Sequence, residues 1–180
     1  MLDWLRRRSL TSAIGRKLYD SIVARARAEP FYHDLGVPDT VEGRFELIVL
    51  HLYLVLERLR SEGAAGKRLS RVLIETFVTD MDDSMREFGI GDMGVPRRVK
   101  RAAAAVYERS AAYAAAQHAD AAALAQALLE HIYFGACSDR ELPEQLAAYT
   151  RSTAVKLEGV GSTSILSGEL PFSDSVTFRP

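Results

Sequence analysis

Apolar residues recur at helical spacing along most of this chain. Leu10, Ile14, Leu18 and Ile22 fall every four residues and form one stripe of a first helix. That helix is expected to end before Pro30, whose ring disfavours helical geometry in Glu29. Phe31 to Pro38 reads as a short aromatic-bearing loop. Asp39-Thr-Val-Glu42 then resembles a capping box, with the Asp39 side chain taking a backbone N–H and Glu42 reaching back. The next helix, to about Glu62, is apolar nearly all round: Leu47-Ile-Val-Leu-His-Leu-Tyr-Leu-Val-Leu56. Such a helix cannot lie on a surface and must be the central element of a helical domain.

Gly63 and Gly66 bracket a break. Lys67 to Phe88 is a second strong helix, with Leu69, Val72, Leu73, Thr76, Phe77, Asp80 and Met81 on related faces and Gly89 placed to cap its end. Pro96 suits the first turn of an alanine-rich helix, Arg97 to Ala116, whose expected packing face is Val106, Tyr107, Ser110 and Tyr113. Asp120 caps a further helix to about Phe134. Ser138-Asp-Arg-Glu141 is another capping-box pattern, with Pro143 in the first turn of a helix to about Leu157. The expected fold is all-α: one domain, residues 1–158, of about six mostly antiparallel helices around the central one at about residues 42–62. Residues 159–180 form a Gly/Ser-rich tail. Its Ile165, Leu166, Leu170, Phe172, Val176 and Phe178 suggest an extended segment docked on the helices rather than disorder.

A chain of 180 residues can bury a core without disulfides or a structural metal. The formal net charge of −1 argues against a nucleic-acid binder by overall electrostatics, so any basic surface is local and no DNA partner is expected. The single cysteine, Cys137, reads as a small packing residue. Leu47 to Leu56 is about half of the ~20 apolar residues that a membrane span requires. Met-Leu-Asp-Trp-Leu-Arg-Arg-Arg at the start has the wrong order for a secretory signal. The expected location is the cytoplasm, with peripheral attachment to the inner face of a bacterial inner membrane.

His51 sits among leucines, where a histidine is most often a core residue with one or two partners for its ring nitrogens. Catalysis would need a second group within reach, and Asp80 on a neighbouring helix is the obvious candidate. Asp80, Asp82, Asp83 and Glu87 form an acidic run, read as a solvated or salt-bridged face. Two basic clusters stand out. Arg6, Arg7 and Arg8 lie beside Trp4, and Arg97, Arg98, Lys100 and Arg101 follow Pro96. Either can meet anionic lipid or RNA phosphates, or be a solvated helix end. No phosphate loop, nucleophile elbow or metalloprotease motif is present, and no cofactor is expected.

Three blocks resemble the ubiquinol–cytochrome c chaperone family, the assembly factors of the respiratory cytochrome bc complex. The first is Phe31-Tyr-His-Asp-Leu-Gly-Val-Pro-Asp-Thr40 leading to Gly43-Arg-Phe45. The second is the Leu50-His-Leu52 core. The third is Val72 to Arg86 with Phe77-Val-Thr-Asp80, followed by Gly89-Ile-Gly-Asp-Met-Gly94 and Pro96-Arg-Arg-Val-Lys-Arg101. Asp39, Thr40, His51 and Asp80 are the motif positions, and the short N-terminus fits a bacterial-type member. The resemblance implies a non-catalytic chaperone. Mitochondrial relatives bind newly made cytochrome b, hold it while haem is inserted, and act at the membrane near the ribosomal exit. The implied partner is an apolar membrane-protein client, cytochrome b, with contact to the ribosome and an anionic membrane surface. A helper for an apolar client needs an exposed apolar groove. Phe31, Tyr32, Phe45, Tyr53 and Phe88 are its candidate lining. Two other readings stand beside this one: an RNA or membrane adaptor using the basic clusters, and a small helical enzyme using His51 and Asp80.

Overall fold

The computed structural model describes residues 2–87, 95–172 and 178, and the side chains of residues 9–84, 100–172 and 178. Six long helices are formed by α1 (Leu2–Ala26), α3 (Val41–Leu59), α4 (Gly63–Glu87), α5 (Val95–Ala119), α6 (Ala121–His131) and α7 (Glu141–Glu158). Two short ones, α2 (Pro30–His33) and α8 (Ser162–Leu166), sit in segments expected to be loop and extended tail. The fold is a single all-helical domain, as the periodicity implies.

Helix α3 is the hub and packs against α1, α4, α5 and α7. Leu47, Val49, Leu50, Leu52, Val55 and Leu59, which point in every direction around it, are all fully buried. Each such side chain contributes about 1.5–3 kcal/mol relative to exposure. Helices adjacent in sequence are antiparallel, which makes alternate helices parallel. Gly15 of α1 faces Val72 of α4, and four residues on Tyr19 meets Phe77 and Asp80. Glu46 faces Arg109 and Tyr53 faces Tyr113 in the same sense along α3 and α5.

Several local expectations change. Thr40, not Asp39, caps α3, its Oγ1 accepting the Gly43 N–H at 3.1 Å. Asp39 instead accepts from Arg44 Nε at 2.6 Å, and that guanidinium holds its carboxyl below the usual range. The chain closes α3 with a 3₁₀ turn, Arg60–Glu62, and reverses at Gly63, whose φ of 56° suits glycine. Gly66 lies inside α4, not beyond a break, where its α-carbon passes against the Leu59 carbonyl. At α7, Ser138 makes no cap; Asp139 Oδ1 accepts the Glu141 N–H at 2.9 Å. The α1 stripe is buried only from its middle onward: Leu18 and Ile22 are sealed, whereas Leu10 is 62% exposed. Tyr107, expected on the packing face of α5, faces water. Phe88, Gly89 and the rest of 88–94 lie outside the described residues, as does Val176.

Two polar stitches tie the periphery to α3. Arg58 donates to the carbonyls of Leu157 (2.9 Å) and Val160 (2.6 Å), to Ser61 Oγ (2.7 Å) and to Glu62 Oε1 (2.6 Å). It thereby caps the C-terminus of α7, where carbonyls lack intrahelical partners. Ser162 at the start of α8 also donates to Glu62 Oε1, at 3.1 Å, so the tail is anchored on the same pair. Glu46 is only 4% exposed and meets Arg109 of α5 at 3.1 Å. Replacing Arg109 with Met strands that carboxylate in the core, and urea unfolding is expected to show a loss of about 3 kcal/mol. The double variant Glu46→Met, Arg109→Met should recover most of it.

Candidate functional site

His51 lies mid-way along α3 with no exposed surface. Its Nδ1 is 2.7 Å from the Leu47 carbonyl, which can only accept, so Nδ1 carries the proton. Nε2 is then the acceptor for the Tyr149 hydroxyl of α7 at 2.8 Å. Burial pushes the His51 pKa down to about 4, with the Leu47 carbonyl opposing and the nearby Arg25 adding to the fall. Burial likewise pushes the Tyr149 hydroxyl up to about 12, which keeps it a donor. The imidazole is neutral and has both nitrogens used.

An aromatic cluster surrounds this pair. Phe31 of α2 stands edge-on to His51 at 5.4 Å and to Tyr149 at 5.0 Å between ring centres. Two rings from the C-terminal segment complete it. Phe172 lies perpendicular to His51 at 5.8 Å, and Phe178 contacts Phe31 at 5.5 Å and Tyr149 at 5.8 Å. Arg25, from the end of α1, is 8% exposed and sits 5.2 Å over the Phe172 ring. Its Nε is buried without a hydrogen-bond partner. This face can hold aromatic and apolar side chains and offers one cation.

His51 and Asp80 do not meet. Asp80 accepts from the Tyr19 hydroxyl of α1 at 2.7 Å, on the side of α4 that faces α1. The Tyr19 pKa is raised, by burial first and by this bond second. The acid–base pair that a helical enzyme would need is therefore not assembled. Asp39 and Thr40 are explained by the start of α3, as a clamp on Arg44 and a cap. Arg44 also lies 5.8 Å over the Tyr32 ring, and Tyr32 donates to the Ala26 carbonyl at 2.7 Å, closing the α1–α2 corner.

The expected groove lining does not come together as one patch. Phe31 and Tyr53 are buried, and Tyr32 and Phe45 are half-buried. Phe31 faces α7 and the tail, Phe45 packs on Phe77 of α4, and Tyr53 packs on Tyr113 and donates to Gln117 of α5. Phe45 and Tyr53 leave α3 in different directions, because eight residues are not a whole number of helical turns, and Phe31 comes from α2 on a third side. Phe88 is outside the described residues, as are the side chains of Trp4, Arg6, Arg7, Arg8, Arg97 and Arg98. Lys100 and Arg101 are exposed on α5. Sequence reasoning passed over Arg25, Arg58 and Tyr149. The signals available were a histidine needing a partner and two phenylalanines in the Gly/Ser-rich tail.

Comparison with known proteins decides what this arrangement belongs to. A family profile described as ubiquinol-cytochrome C chaperone matches residues 33–172. The chain belongs to the ubiquinol-cytochrome C chaperone family. The ubiquinol-cytochrome-c reductase complex assembly factor 1 of Xenopus laevis is 25% identical over 155 residues, covering 86% of this chain and 78% of that protein. The assembly factor of Mus musculus is also 25% identical, over 165 residues, and the chain spans only 56% of its length. The solved structure of the Cbp3 homolog from Brucella abortus superposes with a TM-score of 0.83 at 37% identity, over 97% of each chain. The family match includes His51, Asp80, Tyr149 and Phe172, so the aromatic face lies largely within the family's own span. No described helix is long and apolar enough to cross a membrane.

Stability should carry the mark of the buried imidazole. Above pH 6.5 both folded and unfolded chains hold His51 neutral. As pH falls below 6.5 the unfolded chain takes up a proton first, so stability declines until about pH 4, where the folded state also protonates. The loss is about 3 kcal/mol over that window. His51→Gln should be less stable at pH 8 and lack this limb, as read from Tm against pH in the two proteins.

Proposed function

We propose that this protein is an assembly chaperone of the cytochrome bc complex that shields an apolar segment of newly made cytochrome b. Family membership across residues 33–172 carries the reading. The aromatic face of Phe31, His51 and Tyr149 supports it, because it already accepts two phenylalanines presented by a flanking segment. A client segment would take the places of Phe172 and Phe178 and leave the buried Phe31 and His51 as the floor. Tyr32 and Phe45 would lie at the margins. Membership also supports action without catalysis, since holding an apolar segment needs surface complementarity and no reacting groups.

The client is a membrane protein, so the chaperone must work beside a bilayer. Trp4 with Arg6, Arg7 and Arg8, and Arg97, Arg98, Lys100 and Arg101, are the groups proposed to meet anionic headgroups or ribosomal RNA at the inner face of the membrane. Each basic residue at such a surface adds about 1 kcal/mol, enough for reversible attachment.

Affinity capture from membranes of the native host, read by mass spectrometry, tests this function. Cytochrome b should be enriched with the full-length chain. It should be enriched several-fold more with Phe172→Ala, Phe178→Ala, because the competing rings are gone. Absence of cytochrome b from both captures would defeat the proposal.

A further inference from the structure

A second surface lies between α4 and α5, away from the aromatic face. There Ile74 and Tyr107 line an open groove of about 590 Å³, with the buried Leu59 beneath them, and its rim carries Arg60, Lys67, Arg71 and Glu75. Tyr107 is 64% exposed, a large ring left in water at the edge of an apolar floor. Arg60 is held by Glu57 at 3.0 Å, but among the described residues Lys67 and Arg71 make no ion pair. On α5, Ala104 and Ala111 flank Tyr107 on the exposed face, small enough for another backbone to approach closely.

The order of charges along α4 is specific. Lys67, Arg71 and Glu75 are spaced four apart and form one row, two cations followed by an anion. A groove between two antiparallel helices with such a row on one wall matches a third helix. We propose that this groove docks an acidic amphipathic helix of a partner protein. An apolar side chain of that helix sits over Ile74 against Tyr107. Two carboxylates one turn apart meet Lys67 and Arg71, and a basic residue one turn further meets Glu75. The aromatic anchor with flanking cations has the composition of an interface hot spot. A nucleic-acid or lipid phosphate is the poorer match, since Glu75 repels it and the floor is apolar.

The test uses the full-length chain and two synthetic helical peptides of roughly 20 residues, about 30 Å long. Both have a leucine seam; one carries Glu at paired four-residue spacings and its twin carries Lys. Fluorescence anisotropy should show micromolar binding of the Glu peptide, weakening with salt, and none of the twin. Arg71→Glu and Tyr107→Ala should each weaken binding by about tenfold or more without moving Tm, as expected for exposed interface residues. Lys67→Glu, Arg71→Glu should reverse the preference and bind the Lys twin, which a merely structural role cannot produce. Equal binding of both peptides, or indifference to Tyr107→Ala, overturns the proposal. Tighter binding of oligouridine or of phosphatidylglycerol vesicles through the same residues also overturns it.

Discussion

A helix that is apolar around its whole circumference has to be covered on every side, and the rest of the molecule answers to that demand. Helix α3 meets it with α1, α4, α5 and α7. Such a core tolerates a polar group only where its hydrogen bonds are completed inside. His51 is completed by Leu47, one turn back, and by Tyr149 of α7. Seven residues on, and so on the same face, Arg58 binds the carbonyls of Leu157 and Val160. One face of α3 therefore holds α7 at two points along its length. The central helix positions its neighbours by polar contacts as well as by apolar burial.

This arrangement sets an aromatic face of the chain on a stable scaffold. Phe31 and Tyr149 are fixed by contact with a buried, fully bonded imidazole, so their rings are preorganised before anything binds. Preorganisation lowers the entropy lost on association. Arg25 is a group of this face that the state leaves incompletely satisfied. A buried cation whose Nε has no hydrogen-bond partner, resting on the Phe172 ring, is a polar cost that tail contact only partly offsets. The α4–α5 groove takes none of its lining from α7 or the tail, so the two surfaces are built from separate parts of the helix set.

Much of the fold was legible because it rests on short-range rules. The all-round apolar run announced α3, Asp120 capped α6 as its residue type implies, and glycine marked the reversal at Gly63. Where two neighbouring residues offered the same chemistry, local reading chose wrongly: Thr40 caps α3 because Arg44 draws Asp39 away. The α1 stripe and Tyr107 failed differently. Helical spacing says which residues share a face and not how far the neighbouring helices extend to cover it.

The sequence by itself determined the six long helices, the hub among them, and the need for buried His51 to find partners. Spacing of residues within a few turns controls all of these. Tertiary structure alone decided who those partners are and that His51 and Asp80 stay apart. It alone also joined Phe31, Tyr149 and Phe172 into one face and left Tyr107 beside an open groove. Tyr149 is 98 residues from His51, and Leu157 is 99 from Arg58. No local periodicity reaches that far, because such pairs form only when the packing of whole helices sets their register.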